Sequence, residues 1–214
     1  MEKVHKGIVI HSFLPYKYKY VVFDKFLGKI DGTCAAKYYQ NRIRHGFLIE
    51  YTPIAQVRAP YFLETLDFLQ LPDEWVNQDL SFLHHALELV YQLVPYDQPC
   101  QNIYNLLCLF YWRTPEKDKQ RDLFKKWWLC CFFLQAGLYP EDYGTFSPDF
   151  VRLICFSFDT MVDMNISLFD QWNALYSKML HNSILQTEIV RWVEGCENVY
   201  ANTFRTNFLR AIKQ

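Results

Sequence analysis

Tyr16-Lys17-Tyr18-Lys19-Tyr20-Val21-Val22-Phe23 decides how the first third of the chain is to be read. Large aromatics alternate with lysines, and the run then turns wholly apolar. A period of two puts Tyr16, Tyr18 and Tyr20 on one side of an extended strand and Lys17 and Lys19 on the other, one side buried and one wet. The same grammar extends outward. Residues 7–13 carry the β-rich Ile8-Val9-Ile10, and Leu27-Gly28-Lys29 and Asp31-Gly32 are turn signals. Residues 29–36 read as a third strand and 37–45 as a basic, polar connection. Residues 47–57 read as a fourth strand, in which Pro53 marks an edge or a bulge. Residues 61–71 fit a fifth strand or a short helix. Four or five short strands with no long helix point to a small barrel or sandwich.

After Pro72 the period changes. Leu80, Leu83, Leu87, Val90 and Tyr91 recur at helical spacing through residues 73–93, and Ile103, Leu106, Leu107, Phe110 and Tyr111 do so through 101–112. A third helix spans 119–135, with Gly137 placed to cap its C-terminus. Its second half, Trp127-Trp-Leu-Cys-Cys-Phe-Phe-Leu134, is apolar all round and reads as the central buried helix. Further helices are expected over 147–158, 167–179, 183–195 and 198–213. Ser147 followed by Pro148 has the form of an N-cap, and Ser167 and Ser183 are further N-cap candidates. The fold class is therefore α+β, a β domain over 1–72 and an all-helical domain over 73–214.

The chain has 214 residues and a formal net charge of -1. That sum argues against a nucleic-acid binder until it is divided. Residues 1–60 hold ten bases and four acids, and the remaining residues hold twelve bases and nineteen acids. Two parts of opposite sign imply two kinds of partner. The hydrophobic share of 51% and aromatic share of 18% exclude a disordered chain. Seven scattered cysteines, with no CxxC pair, exclude a disulfide framework and a structural zinc site, leaving buried thiols in a reducing cytosol. The polar start lacks the pattern of a signal peptide, and the longest apolar run is far below the roughly 20 residues that span a bilayer. A soluble protein is expected.

Several stretches together resemble RecO, the recombination mediator family of bacterial DNA repair. Gly7-Ile-Val-Ile-His-Ser12 resembles the family's opening strand, and Phe26-Leu-Gly-Lys29 the turn after its second strand. Gly46-Phe-Leu-Ile-Glu-Tyr-Thr-Pro53 is similar to the family's G-x-L-x-P-F/Y-T element through Gly46, Leu48, Tyr51 and Thr52. Residues 126–139 resemble its R-R-F-E-x-x-L-L-x-x-L-G-Y helix, with Lys126 at the first Arg position and Gly137 at the Gly. The match covers residues 1 to about 140. The sequence departs at Lys37-Tyr-Tyr-Gln40, which lacks the glycine of a basic K-G-x-R loop, and at Glu50, Trp127 and Leu129. No zinc-ribbon cysteines lie in 139–149. The resemblance implies an N-terminal OB-fold ahead of the helices and a divergent, ribbon-free member. It also implies a cytosolic, nucleoid-associated protein with no cofactor, binding single- and double-stranded DNA, RecR and the acidic tail of single-stranded DNA-binding protein.

Two basic groups are candidate sites. Lys17, Lys19, Lys25, Lys29, Lys37, Arg42, Arg44 and Arg58 interleave with tyrosines in the manner of a single-strand binding surface, where cations track phosphates and rings stack on bases. The alternation allows a plainer arrangement, tyrosines in the core and lysines in water. Arg121, Lys125, Lys126 and Trp128 form the second group. By resemblance it offers cations around an apolar pocket for the acidic tail, and equally it fits a solvated helix start paired with its own acids. No Walker A loop, GxSxG, HExxH or GxGxxG is present, so an enzyme is not expected. Asp159 and Asp163 fit an acidic helix surface better than a metal site, and adjacent His84 and His85 face different sides of a helix.

Overall fold

The computed structural model describes residues 4–13, 19–34, 43–56, 61–111, 118–155 and 177–200, with the backbone alone at 118 and 197–200. Five strands, β1 (His5–Ser12), β2 (Lys19–Asp24), β3 (Gly28–Thr33), β4 (Leu48–Ile54) and β5 (Tyr61–Gln70), close into a barrel in the order β1-β2-β3-β5-β4. Neighbours are antiparallel except β3 and β5, which run parallel. This is an OB-like barrel, and residues 61–70 are a strand rather than a helix. Alternation fills it: Val9, Tyr20, Val22, Ile30, Ile49, Tyr51, Leu63 and Leu66 form one buried cluster. Tyr20 thus points inward and Lys19 outward, as the period of two requires.

The bulge expected around Pro53 lies on both sides of the β4–β5 ladder. The register shifts between Glu50 and Thr52, and Thr65 takes a positive φ of 45° while its hydroxyl pairs with that of Thr52 at 2.8 Å. Bulges of this kind let a strand curve enough to close a small barrel.

The chain forms two compact units, Met1–Arg113 and Thr114–Gln214. Strand gives way to helix at Pro72 as expected, but the first helices belong to the barrel's unit. Helix α1 (Asp73–Leu93) kinks at Asp79, whose non-helical backbone (φ -156°, ψ 64°) lets its Oδ1 accept the Phe82 N–H at 3.0 Å. Asp79 thereby caps the second segment. Trp75, Phe82 and Phe110 then meet edge and face, tying α1 to the short 3-10 turn Leu109–Tyr111 that follows α2 (Gln101–Cys108).

In the second unit α3 (Asp118–Gln135) is buried from Trp127 to Phe133, each residue at most 1% exposed. Gly137 (φ 74°) ends it in a Schellman arrangement, with Leu138 N–H donating to Phe133 O at 2.8 Å and Gly137 N–H to Leu134 O at 3.1 Å. Ser147 caps α4 (Pro148–Ile154) by accepting the Phe150 N–H at 3.2 Å. Glu188 in turn accepts from the Ser147 N–H and hydroxyl. Helix α5 (Ser183–Tyr200) departs from expectation twice. Asn182, not Ser183, is its cap, accepting from Ile184 N–H and Leu185 N–H. The helix also runs through Gly195, which expectation made its end. That glycine allows close approach, because a Cβ there would lie 2.7 Å from the Pro140 Cβ. Of the helices expected over 167–179 and 198–213, residues 167–176 and 201–213 lie outside the described residues.

Candidate nucleic-acid interface

The barrel register orders the strand ends. Ser12 at the end of β1 pairs with Tyr20, and Lys19 at the start of β2 with Thr33 at the end of β3. Thr33 pairs with Phe62 at the start of β5, which pairs with Ile54 at the end of β4. β4 runs antiparallel to β1 with Tyr51 opposite His5, so the β1–β2 and β3–β4 connections share the rim at the end of β1, and the β4–β5 connection leaves from the opposite end. In sequence they carry Lys17; Lys37, Arg42 and Arg44; and Arg58. Lys17, Lys37, Arg42 and Arg58 lie outside the described residues. Arg44 is described and exposed. Lys19 stands at the rim half-buried, its Nζ 2.5 Å from Asp31 Oδ2 and 5.3 Å from the centre of the Phe13 ring.

The outer face of β2 and β3, the usual ligand surface of an OB-fold, is closed by the chain's own helices. Val21 and Phe23 point outward yet are fully buried, and Phe23 meets Tyr104 of α2 at 6.4 Å. Lys29 is corrected from nucleic-acid contact to internal clamp. It is 3% exposed, donates from Nζ to the Tyr91 carbonyl at 2.7 Å, and lies 4.3 Å over the Tyr96 ring. Burial lowers its pKa, partly offset by Asp31. Lys25 occupies the β2–β3 turn, 5.4 Å over the half-exposed Phe26 ring, away from the rim. Lys29→Met is expected to cost about 1–3 kcal/mol of the first unit's stability in urea unfolding, because the Tyr91 carbonyl in the last turn of α1 loses its donor. It leaves nucleic-acid affinity unchanged. A drop in affinity without a drop in stability would return Lys29 to the interface.

In the second group Arg121, Lys125 and Lys126 are half-buried on the first turns of α3, and Lys126 pairs with Asp122 at 3.0 Å. Trp128 is corrected: it is fully buried and stacked on Phe132 at 5.4 Å, so it cannot line a surface pocket. An all-apolar helix half buries every ring, and the sequence stretch gave no face for it to escape by.

Two arrangements, the first of them buried, went unseen in the sequence. Asp24, with no exposure, accepts from His5 Nδ1 at 3.0 Å and Tyr51 OH at 2.7 Å through Oδ2, and from Phe26 N–H at 2.6 Å and Leu27 N–H at 2.8 Å through Oδ1. Its lone pairs are committed to holding the β2–β3 turn. His11 and His45, isolated in sequence, pack in series with His84, the neighbour of His85. Among the described residues no group of His, Cys, Asp and Glu could hold a metal ion, and no helix is long and apolar enough to cross a membrane. All seven cysteines are free, and burial raises the pKa of Cys130 and Cys131 well above a thiol's ordinary value. Comparison with protein-family models and with curated proteins finds no match.

Proposed function

We propose that the protein binds nucleic acid without catalysis, as a mediator of the RecO type acting in recombinational DNA repair in the bacterial cytosol. The observation that carries this reading is the rim at the end of β1, from which two base-bearing connections, β1–β2 and β3–β4, leave an OB-like barrel. Such a rim presents cations to a phosphate backbone without using the strand face. Single- and double-stranded DNA are the proposed ligands. RecR, and the acidic tail of single-stranded DNA-binding protein on the cationic start of α3, are the proposed protein partners. The tail's docking is then electrostatic, through Arg121, Lys125 and Lys126, with no seat at Trp128.

A salt titration of single-stranded DNA binding tests it. If Lys17, Lys19, Lys37, Arg42 and Arg44 each meet a phosphate, log K falls against log salt with a slope of about -3.5, at ~0.7 per contact. Affinity then drops about a hundredfold between roughly 50 and 200 mM salt. Reversing Arg42 and Arg44 to Glu weakens binding to all sequences alike. No binding at low salt would sink the proposal.

The covered β2–β3 face supports a second reading, a protein-interaction scaffold with little DNA binding. Capture of RecR or another defined protein, with no shift of DNA, selects it.

A further inference from the structure

The three histidines meet where α1 lies over the end of β1. His11 on β1 stacks on Tyr91 of α1 at 4.5 Å between ring centres and 10° between planes, and on His45 at 5.4 Å. His45, in the turn before β4, meets His84 of α1 edge-on at 6.0 Å. The Ser12 N–H donates to His45 Nε2 at 2.8 Å. That bond needs a lone pair on Nε2, so the ring's proton sits on Nδ1 and a second proton has only the bonded nitrogen to occupy. The turn also holds Gly46, whose N–H donates to Val9 O at 2.8 Å and whose carbonyl accepts from Tyr111 OH at 2.6 Å. His45 thus joins β1, the barrel turn and α1.

We propose that His45 is a proton-sensitive latch: protonation of Nε2 breaks the Ser12 bond and sets a cation among His11, His84 and Tyr91, loosening α1 from the barrel. The charged or titratable groups facing His45 are His11 from β1, and His84 and Glu88 from α1. Lys29 of β3 stands behind Tyr91, 5.5 Å from its ring centre. Burial holds the His45 pKa below the ordinary imidazole value, and His11 and His84 add to this. Glu88 acts in the opposite sense but does not reverse it, and the Ser12 N–H, donated to Nε2, favours the neutral ring. With the folded pKa depressed, the unfolded chain takes the proton first. The latch is therefore closed above an ordinary imidazole pKa of about 6.5, and its stability is lost as pH falls below that and through the folded value.

Amide hydrogen exchange of the full chain, corrected for intrinsic rates, reads the latch at about pH 7.5 and 5.5. Protection of Ser12 and of residues 83–91 should fall roughly tenfold or more on acidification, the loss of one partly buried hydrogen bond. His45→Gln keeps an acceptor for Ser12 and cannot be protonated, so its protection should stay flat. His85→Gln, which alters the other histidine of α1 with a lowered pKa, should keep the wild-type fall. Unchanged wild-type protection, a wild-type fall in His45→Gln, or its loss in His85→Gln would each overturn the latch. If His45→Gln does not fold, ring-proton NMR of the wild type decides: the His45 midpoint must lie below about 6.5 and coincide with the change in exchange.

Discussion

Asp24→Ala is expected to cost the barrel unit about 3–5 kcal/mol, the range for removing one partner of a buried, hydrogen-bonded charge. Four donors converge on this carboxylate: His5 Nδ1, Tyr51 OH and the N–H groups of Phe26 and Leu27. With the side chain gone, all four lose their acceptor, and Tyr51 and His5 have at most a tenth of their surface in water to replace it. Asp24→Asn keeps an oxygen for the two backbone donors and turns an amide toward His5 and Tyr51. About half of the loss should return if the turn and the side-chain pair weigh equally. Urea unfolding followed by a signal from the barrel measures both. A loss under about 1 kcal/mol for the alanine would show that water enters and satisfies the donors. The His-Asp-Tyr grouping has the residue types of a catalytic set, yet its acceptor is saturated and fully buried, which suits a fastening for the hairpin.

Much of the barrel was legible because a strand's period is two and its inside is apolar. Lys19 and Tyr20 went to opposite faces as the alternation requires, and α1 runs over the very residues whose spacing predicted it. The site was less legible, for a physical reason. Sequence periodicity tells which residues leave the core of one element, but not whether a second layer then covers them. Lys29 alternates outward as a solvated lysine should, and only the return of α1 and residues 94–104 buries it. A signal did exist: Val21 and Phe23 make the outer face of β2 as apolar as its inner face, which an exposed strand would not be. The histidine seam had no such signal, because His11, His45 and His84 come together only through the barrel register and helix packing. Trp128 was misread for the opposite reason. Lys125 and Lys126 precede it closely in sequence, but its neighbours in space are aromatic.

The second large effect concerns the cover over the strand face. Gly28→Val is expected to destabilise the first unit by at least about 3 kcal/mol, combining left-handed strain with overpacking. Gly28 has φ 76°, and a Cβ there would stand 2.2 Å from the Gln98 carbonyl oxygen and 2.4 Å from its carbon. The obstacle is backbone and is held in place: Asp97 N–H donates to Lys29 O at 3.0 Å, and Asp97 itself has φ 55°. The hairpin or residues 96–98 must move, and the Lys29 clamp on Tyr91 and Tyr96 moves with them. For a unit of this size the melting temperature should fall by more than about 10 °C. Gly144→Ala, where a Cβ meets nothing within 4 Å, is the control and should stay within about 0.5 kcal/mol of wild type. The same variant separates the two sites a ligand could use. If the rim connections bind nucleic acid, the folded fraction of Gly28→Val keeps wild-type affinity. If loosening the cover instead strengthens binding, Val21, Phe23 and Lys29 are the contact surface and the helices over them are a self-inhibitory layer. Unchanged stability would show that the junction of β3 with residues 96–98 is not fastened at all.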